Sequence, residues 1–155
     1  RSGRAPVYVA TATAGDGEMA ERIAMHRRRR GAEWRTVEEP LDLAGAIAAH
    51  ATPANAVLVD CLTLWLSNLF AAERPVEAET DRLLAVLAAA GGPVVLVSNE
   101  VGFGIIPVGE LTRRFADAAR RLNQIIADRA DRVILVVAGL PVVVKNVSKG
   151  RIRSA

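Results

Sequence analysis

The sequence predicts an α/β protein with a mostly parallel sheet covered by helices on both faces. Three observations lead there. Val7-Tyr8-Val9-Ala10, Ala56-Val57-Leu58-Val59-Asp60, Val94-Val95-Leu96-Val97 and Val133-Ile134-Leu135-Val136-Val137 are apolar runs without alternation, as expected of strands buried on both faces. The stretches between them have helical spacing. Strand and helix alternate along the chain, and parallel neighbours need such crossovers.

Taken in order, Pro6 precedes the first strand, and Thr11 to Gly17 is a loop of small residues. Asp16 stands as the N-cap of a helix running to about His26. Trp34-Arg35-Thr36-Val37 is a second short strand. Leu41 to His50 is helical and ends at Thr52-Pro53, because proline cannot continue a helix. After the strand ending at Asp60, Cys61 to Phe70 and Pro75 to Ala90 are helical. Gly91-Gly92-Pro93 breaks the second of these before Val94 to Val97, and Ser98 to Gly109 is a glycine-containing loop. Glu110 to Ala130 is a long amphipathic helix with Leu111, Phe115, Ala118, Leu122, Ile125 and Ile126 on one face. Val133 to Val137 is another buried strand, and Gly139-Leu140-Pro141 turns into Val142-Val143-Val144 at an edge. From Lys145 the chain is polar and basic and is expected to be poorly ordered, with residues 146–155 as a tail. Residues 1–155 read as one nucleotide-binding α/β domain.

With 155 residues, 51% of them hydrophobic, the chain can bury a sizeable core. Aromatics make up only 4%, which argues against a stacking surface for single-stranded nucleic acid. The net charge of +3 is a mild basic excess, much of it local to residues 27–30. One cysteine leaves no internal disulfide framework and fits a reducing cytoplasm. No apolar run approaches the ~18–20 residues that span a bilayer, and no signal peptide is expected.

The stretch with most chemistry is Met25-His26-Arg27-Arg28-Arg29-Arg30, followed by Trp34-Arg35-Thr36-Val37-Glu38-Glu39. Guanidinium groups bind phosphate through paired hydrogen bonds. A histidine beside them is placed to act on a phosphate. Its positive neighbours disfavour the imidazolium, so the ring should stay neutral and nucleophilic. Taken alone, such a run also occurs as a solvated face or a loose RNA-binding patch. Asp60 ends an apolar strand where phosphate-binding α/β folds hold a Mg²⁺-associated carboxylate, although a strand-end aspartate also caps helices. Ser98, Asn99 and Glu100 follow another apolar strand and belong to the same carboxyl edge, where open α/β sheets bind ligands. His50, Trp34, Trp65 and Cys61 read as structural, Cys61 as an inert small hydrophobe. No Gly-x-x-x-x-Gly-Lys-Ser/Thr occurs in the sequence.

In their order and spacing these segments resemble the bifunctional adenosylcobinamide kinase / adenosylcobinamide-phosphate guanylyltransferase family of cobalamin biosynthesis. The resemblance is carried by Tyr8-Val9-Ala10-Thr11-Ala12, Asp16 to Ile23, His26 to Arg30 and Trp34 to Pro40. It continues through Val57 to Trp65, Asn68-Leu69, Val97 to Pro107 and Arg121-Leu122-Asn123-Gln124. It implies a RecA-like P-loop NTPase fold and two reactions: phosphorylation of adenosylcobinamide by ATP or GTP, then transfer of GMP from GTP to adenosylcobinamide phosphate. It also implies a covalent guanylyl-histidine at His26. GTP contacts would fall on Ala10, Thr11 and Ala12, on Arg27, Arg28, Arg29 and Arg30, on Glu38 and on Asp60. Asp60 is the candidate Mg²⁺ carboxylate, and Asn99 and Glu100 are a further edge of the site. The family assembles as a homo-oligomer built on trimers, with no nucleic-acid partner. Its first strand and phosphate loop are expected to be missing here, with residues 1–3 a remnant of that loop. Two other classes share part of the pattern: a generic P-loop NTPase that only binds or hydrolyses GTP, and a small basic RNA-binding module.

Overall fold

In the structure, a computed structural model that describes residues 3–13, 17–29, 31–104 and 108–147, strands and helices alternate much as predicted. The order is β1 (Ala5–Ala10), α1 (Gly17–Arg29), β2 (Arg35–Glu38), α2 (Leu43–His50), β3 (Asn55–Asp60), α3 (Leu62–Ala71) and α4 (Val76–Ala88). Then come β4 (Val94–Val97), α5 (Glu110–Arg129), β5 (Arg132–Val137) and β6 (Leu140–Asn146). Four strands form a parallel sheet in the order β2-β1-β3-β4. The connection from β1 leads one way across the sheet and the connection from β3 leads the other. The carboxyl ends of β1 and β3 therefore flank the topological switch point, where open α/β sheets form a ligand crevice.

The core sits between the sheet and helices α2 to α5. Val7 and Val9 on β1 are in register with Val57 and Val59 on β3, and all four are buried. Leu43 and Ile47 of α2, Leu62, Trp65, Leu66 and Leu69 of α3, Leu83 of α4 and Leu122 of α5 close over them. Each such side chain contributes about 1.5–3 kcal/mol by leaving water, so this cluster is the main force ordering the strand ends. The start of α2 is tied down by polar groups: Asp42 accepts from the Gly45 amide, and Arg82 of α4 donates to both Asp42 and Glu79. Glu79 first, then Asp42, holds the Arg82 guanidinium still further above its ordinary range.

Several expectations are corrected. The run Val133 to Val137 is a strand, but it pairs antiparallel with β6 in a separate two-stranded sheet, and Val136 is 63% exposed. An apolar run specifies a strand without specifying its neighbour. Val94 to Val97 joins the parallel sheet at its end, and Val95 there is 56% exposed, so β4 is covered on one face only. On α5, Leu122 is buried and Phe115, Ala118 and Ile126 pack on the core, whereas Leu111, in the first turn, is 65% exposed. Lys145 and Asn146 belong to β6, not to a loose tail. The Lys145 ammonium donates to the carbonyls of Ala127 and Asp128, which end α5 and have no intrahelical partner of their own. Asp16, residues 1–2, the segment 105–107 and residues 148–155 lie outside the described residues.

Candidate functional site

The strand register assembles the site. Ala10 on β1 is opposite Glu38 on β2 and opposite Asp60 on β3. These three predicted nucleotide contacts therefore stand abreast at the carboxyl ends of three adjacent strands. With strands about 4.8 Å apart, the row spans roughly 10 Å, a length that suits a nucleotide. Val97, the register partner of Asp60, extends the row to β4, and the candidates Asn99 and Glu100 follow it after Ser98.

Thr11 and Asp60 meet across the switch point. The Thr11 amide donates to the Asp60 carbonyl at 3.1 Å. The Thr11 side chain is fully buried, and its hydroxyl donates to the Cys61 carbonyl and accepts from the Cys61 amide, both at 2.8 Å. Thr11 thus holds the chain just past Asp60, where the Asp60–Cys61 peptide is cis. The Asp60 carboxylate accepts from the Tyr8 hydroxyl at 2.5 Å, and the Tyr8 ring in turn makes an edge contact with Trp34. Cys61 is a free thiol, buried as its apolar setting predicts.

Arg27, Arg28 and Arg29 belong to the last turn of α1. Arg27 forms an ion pair with Glu38, and both side chains are about half exposed. This contact brings the end of α1 to the row of strand ends. Arg28 is exposed. His26 is on the same helix, but its side chain and that of Arg29 lie outside the described residues, as does all of Arg30.

Beyond β4, the Asn99 amide donates to the Thr63 hydroxyl of α3 at 2.8 Å. Ser98 donates to Asn123 of α5 at 2.7 Å, and Glu100 accepts from the Gly102 amide. The start of the loop is thus tied to two helices, and Ser98, Asn99 and Glu100 are exposed.

Mg²⁺ keeps several waters and needs only one or two protein carboxylates beside substrate phosphates. A lone Asp60 suits that style of binding. Among the described residues no group of three or more His, Cys, Asp or Glu is gathered to hold a metal without such phosphates.

A family model described as CobU, cobinamide kinase / cobinamide phosphate guanyltransferase, matches residues 1–144. The chain belongs to the cobinamide kinase / cobinamide phosphate guanyltransferase family. It is 52% identical over 147 residues to the bifunctional adenosylcobalamin biosynthesis protein CobP of Pseudomonas aeruginosa, covering 94% of this chain and 85% of that protein. It is 40% identical over 154 residues to the bifunctional adenosylcobalamin biosynthesis proteins CobU of Salmonella typhimurium and of Escherichia coli, covering 90% of this chain and 85% of each relative. Membership in the cobinamide kinase family makes this an enzyme of cobalamin biosynthesis with a P-loop NTPase type of α/β fold.

Residue type alone does not announce the contacts of Tyr8, Thr63 and Asn123, although all three fall in segments that carry the family resemblance.

Proposed function

We propose that this chain transfers GMP from GTP to adenosylcobinamide phosphate through a covalent intermediate on His26, and that it phosphorylates adenosylcobinamide with ATP or GTP. The observation that carries the reading is the row Glu38, Ala10 and Asp60 at adjacent strand ends, with α1 brought against it by the Arg27–Glu38 pair. No phosphate-loop motif occurs within residues 1–155, so guanylyl transfer is the reaction to which the residues present contribute most directly.

In the first step a ring nitrogen of His26 attacks the α-phosphorus of GTP. A P–N bond forms, the bond to the bridging oxygen breaks, and pyrophosphate leaves. Arg27 to Arg30 neutralise the charge that gathers on the leaving group and on the five-coordinate phosphorus. In the second step a phosphate oxygen of adenosylcobinamide phosphate attacks the same phosphorus, the P–N bond breaks, and His26 is regenerated with adenosyl-GDP-cobinamide as product. Splitting the transfer in two replaces one crowded encounter by two displacements on a reactive phosphoramidate. Glu38 accepts hydrogen bonds from guanine or ribose donors, exchanging its Arg27 partner for them. Asp60 would hold Mg²⁺, which when bound draws charge from the phosphate oxygens. Ala10, Thr11 and Ala12 border the nucleotide on one side, and Asn99 and Glu100 border the far side.

The protein is read as a single cytoplasmic domain that assembles as a homo-oligomer built on trimers. Among the described residues no helix is long and apolar enough to cross a membrane. The exposed valines of β5 and β6 give an assembly apolar surface to cover.

Incubation with α-labelled GTP is expected to leave an acid-labile, base-stable label on the protein, released by adenosylcobinamide phosphate. A His26→Ala variant that labels as fully as the wild type removes the assignment.

A further inference from the structure

We infer that Asn68 is a positioning residue for the nucleotide, acting through the two loops that follow β1 and β2. The inference rests on the reading that Thr11, Ala12 and Glu38 border GTP. The Asn68 side-chain nitrogen donates to the Thr11 carbonyl at 2.8 Å and to the Pro40 carbonyl at 3.0 Å. One amide nitrogen has two hydrogens in one plane, so this single group fixes the spacing between two carbonyls on two different loops.

The location makes the bond pair consequential. Among the described residues, the bond from the Glu39 amide to the Ala10 carbonyl is the last backbone contact tying β2 to β1 at this edge. One residue further on, the Thr11 and Pro40 carbonyls turn to Asn68 instead. The spacing of the nucleotide loops past the end of the sheet is thus set by a side chain of α3, not by the sheet ladder.

That helix is a firm support. Trp65 and Leu69, on either side of Asn68 along α3, are fully buried, and the Trp65 indole donates to the Leu41 carbonyl at 2.9 Å. Thr63, near the start of α3, holds Asn99. One helix therefore brackets all three loops of the carboxyl edge. Within that bracket the chemistry demanded at Asn68 is narrow. Aspartate presents only acceptors to the two carbonyls, alanine leaves them without this partner, and glutamine sets the amide one methylene too far out.

The test compares wild type with Asn68→Ala and Asn68→Asp. Guanylylation is followed against GTP concentration, with backbone amide exchange across 10–13 and 39–43 as a second readout. In both variants the KM for GTP is expected to rise roughly tenfold or more, with the maximal rate changed less than about threefold, and exchange in the two loops to quicken. Faster exchange with an unchanged KM makes Asn68 a structural clamp only and overturns the proposal, as does unchanged exchange. A wild type that forms no adduct overturns the guanylyl-transfer reading; the dissociation constant for GTP, by equilibrium dialysis, then takes the place of KM in the same comparison, and equal values sink the inference. Should Asn68→Ala lose its cooperative thermal transition, the comparison is made on Asn68→Asp, which keeps the side-chain shape.

Discussion

Replacing Thr11 by valine keeps the shape of a fully buried side chain and deletes only its hydroxyl. That hydroxyl is both donor to the Cys61 carbonyl and acceptor from the Cys61 amide, each at 2.8 Å, and Cys61 is itself buried. The variant leaves two backbone groups without these partners in a site water does not reach freely. A buried group that loses its partner costs about 1–3 kcal/mol, so Thr11→Val, which leaves two, should destabilise the fold by about 2–6 kcal/mol. Against a typical domain stability of about 5–15 kcal/mol, the loss is large enough to measure with confidence. Thr11→Ser is the control. It keeps the hydroxyl and removes one methyl group, a change worth about 1 kcal/mol. Equilibrium urea unfolding followed by tryptophan fluorescence reads both, with an unchanged denaturant slope as the check that the unfolded state is the same. A valine variant within about 0.5 kcal/mol of wild type, or a serine variant worse than valine, would refute the claim that the hydroxyl locks the chain behind Asp60.

Two further changes probe the frame that carries the site. A Cβ on Gly92 would come within 2.2 Å of the Thr52 carbonyl oxygen and 2.5 Å of that of Asn55, both backbone atoms, so Gly92→Ala should cost about 1–3 kcal/mol and lower the melting temperature; an unchanged midpoint contradicts the close approach. Ala138 (φ 51°) and Gly139 (φ 78°) form the two-residue turn between β5 and β6, a geometry that favours Asn-Gly, so Ala138→Asn should raise stability by about 0.5–1 kcal/mol, and a fall in the thermal midpoint would count against the turn.

Part of the candidate site could be read from the residues and part from the family resemblance. Asp60 closes an apolar run and so marks a strand's end, whereas Ala10 and Glu38 came from the resemblance and prove to close their strands as well. What could not be read is the company those residues keep. Tyr8 looks like a core aromatic and proves to hold the Asp60 carboxylate; Asn68 is a polar residue on an otherwise apolar helix and proves to join two loops. Each of those contacts spans more than twenty residues of chain, and residue type alone carries no address for the partner.

The sequence by itself determined the kinds of element, their order, the concentration of polar groups at one sheet edge and the family, because these depend on local apolar patterning and on motifs in series. Tertiary structure decided the register that sets Glu38, Ala10 and Asp60 side by side, the locks made by Thr11 and Asn68, and the separation of β5 and β6 from the parallel sheet. The physical reason is the same in each case. Burial is encoded residue by residue, whereas a hydrogen bond or a strand pairing needs two distant segments to arrive in one place, and only the packed core brings them there.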